Sequence, residues 1–222
     1  MKGINLSLEE KAAQVLISFR FGKKKISDYC LKNNWGGIHL SIWDYSNFAD
    51  SRAMIEDFRH HSKIPPFITS DTECGLGQVM VNEATEFTTL MGLGATGDIE
   101  LVAKASCATA LESMAVGLTL SFSPVVDVNT NPLNPSTNVR SYGIDPAMVS
   151  LFADRHIKEY QRNGLIASAK HFPGQGHSAM NSHYFLEEID RTREEMESVE
   201  LVPFKRVITA GVELIMTNHA VY

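Results

Sequence analysis

The chain has only three cysteines, Cys30, Cys74 and Cys107, and they lie far apart with no Cys-x-x-Cys pair. That excludes a zinc ribbon and a disulfide framework, and it fits a reducing compartment, here read as the cytoplasm. Long apolar runs are also missing: nothing approaches the roughly 18 residues that a membrane span requires. The segment Met1 to Ser7 has no apolar core of the kind a signal peptide carries. An excess of positive charge is absent, since the formal net charge is −6 and the only basic run is Lys23-Lys24-Lys25. Neither nucleic acid nor an anionic membrane is therefore expected as a partner. The first strand-to-helix turn carries no Gly-x-Gly-x-x-Gly, which disfavours a dinucleotide fold. No Gly-x-Ser-x-Gly elbow supports a nucleophilic serine. His171, His177, His183 and His219 form no His-x-His or His-Glu-x-x-His pattern, so no metal is expected, and no other cofactor.

What is present is an alternation of short apolar strands with helices. The 222 residues are 44% hydrophobic, enough to build one large domain. Ser7-Leu8-Glu9-Glu10 is a capping box that opens a short helix running into a first strand, Val15 to Phe19. A polar helix is expected near Ile26 to Asn33, then a second strand, Trp35 to Leu40. A helix over Asn47 to His61 leads to a third strand, Pro65 to Asp71. An Asp-led, Gly-ended helix over Asp98 to Gly117 precedes a fourth strand, Leu118 to Val128. A proline-led helix over Pro146 to Gly164 precedes a fifth strand, Leu165 to Phe172. Thr192-Arg193-Glu194-Glu195 is a second capping box, expected to open one helix to about Ala210, before a sixth strand over Val212 to His219. This order specifies a parallel α/β fold. By pattern alone it suits an open doubly wound sheet or six of the eight units of a barrel.

Polar residues gather just after the apolar strands. Asp71 ends the third, and Asp127 and Asn129 end the fourth, with Arg140 in the loop beyond. Lys170 and His171 end the fifth, and Asn218 and His219 end the sixth. On a parallel barrel these ends converge on one face, where barrel chemistry sits. Lys170 is the hardest to read as incidental, because a lysine closing a buried strand needs a partner. Asp127 also reads as an acceptor for loop amides, and His39 as a structural end to its strand.

The blocks Asp71-Thr72-Glu73-Cys74-Gly75, Phe122 to Val128, Arg140-Ser141-Tyr142-Gly143, Lys170 to Gly176, Ser182-His183 and Met216 to His219 follow one another in an order that resembles glycoside hydrolase family 3. The resemblance is to its β-N-acetylhexosaminidase branch. It implies a TIM-type (β/α) barrel, a single domain over residues 1–222 with about six of eight units and incomplete at its C-terminal end. It implies a carbohydrate substrate and retaining hydrolysis of terminal β-linked N-acetylglucosamine. Asp71, Arg140, Lys170 and His171 are expected to bind the sugar, and His183 to be the general acid/base. A family 3 β-glucosidase and a non-catalytic sugar-binding protein are the alternative readings.

Three departures from the family pattern bear on activity. Asn181 stands where the branch has an aspartate that orients the histidine. An amide can accept a bond from the imidazole but cannot stabilise imidazolium as a carboxylate does. An arginine usual in the block after Asp71 is absent, with Gln78 and Met80 nearby. No residue matches the aspartate nucleophile that the family carries after its seventh strand, which a retaining mechanism requires.

Overall fold

In the computed structural model of the chain, residues 5–19, 28 and 30–222 are described. Six parallel strands form one curled sheet in sequence order: β1 (Ile17–Phe19), β2 (Gly37–His39), β3 (Phe67–Ser70), β4 (Leu120–Ser121), β5 (Ile166–Phe172) and β6 (Leu214–Thr217). The register Phe19↔His39↔Thr69 runs across β1 to β3, and Lys170↔Met216 joins β5 to β6. Because each strand pairs with its predecessor in the same direction, every C-terminal strand end faces the same side. The sheet is the half-barrel of a TIM-type fold.

The helices form where caps and apolar spacing coincide. Helix α1 (Leu8–Ala13) has the Ser7/Glu10 capping box, and α2 (Phe48–His61) is capped by Asn47. In α4 (Ile99–Val116) the Asp98 carboxylate accepts from Glu100 and Leu101 amides, and Gly117 ends it at φ 109°. In α5 (Pro146–Arg162) Val149, Phe152, Ala153, Ile157 and Tyr160 recur at helical spacing and are buried. Helices α4 and α5 pack side by side over the sheet. Their buried apolar residues belong to one hydrophobic core with Ile38, Leu40, Ile68, Ala167 and Ala169. The inner strands β2 to β5 are mostly buried and read as apolar runs, whereas β1 and β6, at the two edges of the sheet, are largely exposed.

Three differences from the sequence reading have physical causes. The expected helix over 192–210 is two helices, α6 (Arg193–Ser198) and α7 (Leu201–Thr209). Pro203 has no N–H to give the Val199 carbonyl, and its ring would clash there, so the chain breaks at Val199 and restarts. The fourth strand is regular only over Leu120–Ser121. Pro124 removes one donor, yet the segment continues beside β5: Lys170 donates to the Pro124 carbonyl at 3.2 Å and Val126 to that of Lys170 at 2.8 Å. A short helix, α3 (Leu90–Ala95), was not anticipated, because Gly92 and Gly94 lower helix propensity. Gly94 is required by contact: a Cβ there would lie 1.9 Å from the Tyr142 carbonyl oxygen. Of the polar helix expected near 26–33, residues 28 and 30–32 are helical, while 26, 27 and 29, with the Lys23–Lys25 run, lie outside the described residues.

Candidate active site

The strand ends enclose a cavity of about 320 Å³, within the range of small-molecule sites. Its wall carries the five residues expected to bind the sugar or transfer the proton, Asp71, Arg140, Lys170, His171 and His183, together with Asn218 and His219 from the end of the sixth strand.

The floor of the cavity is a charge network built from three strand ends. Lys170, at the end of β5, is 2% exposed. Its Nζ donates to Asp71 Oδ1 at 2.7 Å and lies 2.6 Å from Glu73 Oε1. Arg140, in the loop after β4, donates its Nε to Glu73 Oε2 at 2.9 Å and its Nη2 to Glu73 Oε1 at 2.6 Å, a bidentate pair. Glu73 is thus the shared partner of both cations. Burial pushes its carboxyl upward, but Lys170 and Arg140 outweigh that and hold it at about 2. Sequence reasoning missed Glu73. The available signal was its place two residues beyond Asp71, on the same side of an extended segment as a lysine and an arginine that both needed a partner.

His171 is oriented by Asp127, which is fully buried at the end of the β4 segment. The Asp127 carboxylate accepts the His171 and Gln175 amides at Oδ1, 3.2 and 2.9 Å away, and faces His171 Nδ1 from Oδ2 at 2.8 Å. With Nδ1–H given to Asp127, the other ring nitrogen is left for the cavity. The reading of Asp127 as an acceptor for loop amides matches this geometry.

His183 is exposed on the loop that follows β5. The base of that loop is tied down. Tyr222 donates its hydroxyl to the Gly174 carbonyl at 2.9 Å, and buried Glu187 accepts the Ala179 and Met180 amides at 2.6 and 3.0 Å. Gly176 packs against Val128 so closely that a Cβ would lie 1.7 Å from its carbonyl oxygen. The ring of His183 stands 6.1 Å, centre to centre, from that of His219 across the cavity wall.

Asn181 is not on the cavity wall and does not hold the imidazole. Its Oδ1 accepts the backbone amide of His183 at 3.0 Å, closing an Asx turn. The expected orienting contact is absent among the described residues, because the short side chain satisfies the nearer backbone donor.

Comparison with known proteins matches this arrangement to one family. Residues 7–222 fit the model of the glycosyl hydrolase family 3 N-terminal domain. The chain belongs to glycoside hydrolase family 3. A β-hexosaminidase A of Pseudoalteromonas piscicida is 36% identical over 167 residues, 72% of this chain and 28% of that protein. A β-N-acetylglucosaminidase/β-glucosidase of Cellulomonas fimi is 34% identical over 83% of this chain and 32% of its own length. The structure of a family 3 β-N-acetylglucosaminidase from Paenibacillus sp. superposes with a TM-score of 0.89 at 29% identity, over 98% of this chain and 43% of the other. The family 3 domain described here thus spans about a third of those two curated relatives. None of its helices, among the described residues, is long and apolar enough to cross a membrane.

Proposed function

We propose that the domain binds a terminal β-linked N-acetylglucosamine unit and belongs to a retaining β-N-acetylhexosaminidase. The carrying observation is the Asp71–Lys170–Glu73–Arg140 network at the floor of a cavity that also presents His171 and His183. The Asp71 carboxylate, partly exposed, accepts sugar hydroxyls. Lys170, Arg140 and His171 supply donors to the hydroxyls and the N-acetyl group. His183 gives a proton to the departing oxygen and recovers it from water; imidazole titrates nearest neutrality of the side chains, which suits a group with both tasks.

The retaining reaction also needs a carboxylate about 5 Å from the acid/base. Asp71 is the one carboxylate on the cavity wall among the described residues, and it is engaged by Lys170. The placement of Asn181 away from the His183 ring favours one second reading: a domain that binds the sugar without cleaving it. Release of p-nitrophenol from p-nitrophenyl β-N-acetylglucosaminide separates the two. Hydrolysis that His183→Ala lowers at least a hundredfold, with N-acetylglucosamine still bound in calorimetry, supports the hydrolase. Unchanged turnover in that variant removes His183 from the mechanism. Binding without any hydrolysis supports the second reading.

A further inference from the structure

His39 was read from sequence as the structural end of a strand, but its surroundings give it a task in the site. It sits at the end of β2, 5% exposed, on the cavity wall. Its ring is stacked on Phe122, 5.2 Å between centres and 13° between planes, and meets Phe19 edge-on at 4.7 Å. The aromatic faces fix the plane of the imidazole, and the ring nitrogens fix its rotation. Nδ1 lies 2.9 Å from the Thr69 hydroxyl, and Nε2 lies 3.5 Å from Asp71 Oδ2.

Two tautomers fit the Thr69 contact, and the carboxylate selects between them. With the hydrogen on Nδ1, the Nε2 lone pair would face a carboxylate oxygen. With the hydrogen on Nε2, the Thr69 hydroxyl donates to Nδ1 at 2.9 Å in place of its longer 3.4 Å contact with the Ile38 carbonyl, and Nε2–H faces Asp71 Oδ2 at 3.5 Å, so both ring contacts are favourable. Burial lowers the His39 pKa. Asp71 and Asp44 oppose that shift and Lys170 reinforces it; the balance is downward and favours the neutral ring. Lys170 already holds the other oxygen, Oδ1.

We propose that His39 is a positioning residue: as the Nε2–H tautomer, braced by Thr69, it holds Asp71 Oδ2 while Lys170 holds Oδ1. The carboxylate is thereby fixed at both oxygens, with its remaining lone pairs turned to the cavity. It can then accept only from donors, so it selects a free sugar hydroxyl over an ether or a deoxy position at that point. This sugar-selecting part rests on the N-acetylglucosamine reading above; the clamp itself does not.

The two parts are tested separately. Long-range ¹H–¹⁵N spectra of the protein at neutral pH are expected to show His39 neutral with its hydrogen on Nε2. In Asp71→Asn the His39 pKa should fall further. An Nδ1–H tautomer, or a His39 pKa indifferent to Asp71→Asn, overturns the clamp. In calorimetry with N-acetylglucosamine, His39→Gln, whose amide reaches the Nε2 position, should bind within about threefold of the unaltered protein. His39→Asn and His39→Leu should bind about 10–100-fold more weakly, the value of one hydrogen bond to a charged group. In an Asp71→Asn background His39→Leu should add nothing, which a merely structural role would not produce. Equal binding by His39→Leu and the unaltered protein overturns the positioning role. An Nε2–H tautomer in a protein that binds no N-acetylglucosamine supports the clamp and overturns the sugar reading instead.

Discussion

At the scale of single residues, the site depends on Glu73. Among the described residues it is the one acid bonded to both Lys170 and Arg140; without it Arg140 loses its carboxylate partner and Lys170 keeps Asp71 alone, a large cost for buried cations. Glu73→Gln keeps the shape and removes the charge. It is expected to destabilise the fold by roughly 3–5 kcal/mol, the usual loss when one partner of a buried pair is removed. It should also weaken binding of N-acetylglucosamine; urea unfolding and calorimetry measure the two effects. A stability change below about 0.5 kcal/mol would mean that water reaches this network. Most of this chemistry was legible one residue at a time. Asp71, Arg140, Lys170 and His171 stood out because charged groups at the ends of apolar strands demand partners. What the sequence concealed was the pairing. Glu73 lies 67 residues from Arg140, and nothing local says which acid closes that distance. The Asn181 contact was misjudged for the opposite reason. The short Asn181 side chain reaches the backbone amide of His183, two residues along, and is taken up by that donor in place of the ring of the same residue.

At the scale of elements, the caps made most helix starts readable. Ser7, Asn47, Asp98, Asp145 and Thr192 all cap helices in the structure. Strand interiors were readable as apolar runs, but strand lengths were not, since pairing ends where a neighbour's backbone turns away. The loop after β5 depends on a contact between backbones. Gly176 lies flat on Val128, and the Asn131 amide donates to the Ser178 carbonyl at 3.0 Å just beyond. Gly176→Ala places a methyl inside that contact and must push the loop off the strand. The expected cost is about 1–3 kcal/mol or more. Because the same loop carries His183, p-nitrophenol release should fall further than sugar binding does. A variant with stability and turnover both unchanged would show that the loop does not need this seat.

At the scale of the whole molecule, stability is expected to fall in acid, chiefly through buried His156 and Glu73. His156 has the Tyr142 hydroxyl 2.8 Å from one ring nitrogen and the Ser123 hydroxyl 3.4 Å from the other. Burial, opposed only by Glu73, holds its pKa down to about 3 from an ordinary 6.5. Below pH 6.5 the unfolded chain therefore takes up a proton that the folded chain refuses, and stability drains as the pH falls from 6.5 towards 3. Glu73, held at about 2 against an ordinary 4.5, acts in the same direction but only below pH 4.5. Its contribution is complete above 4.5 and is lost as the pH falls towards 2. Denaturant midpoints should thus decline between pH 7 and pH 5 through His156, with buried His39, also held below 6.5, adding in the same direction and Glu73 not yet contributing. His156→Gln, which does not titrate, should flatten that part of the curve and leave the steeper fall below pH 4.5. An unchanged slope between pH 7 and pH 5 in that variant would assign the decline to other groups.

The pairing of Asp71 and Glu73 with Lys170 and Arg140 has a consequence for the solvent as well as for the sugar. Two anions and two cations cancel within a few ångströms, so the floor of the cavity presents dipoles and little net field. A neutral guest entering it displaces no counterions and has no long-range attraction to lose. Raising sodium chloride from low millimolar to about 0.5 M, where the Debye length shrinks to a few ångströms, should leave the N-acetylglucosamine Kd nearly unchanged. A strong ionic-strength dependence would mean that the quartet is not balanced when the sugar is bound.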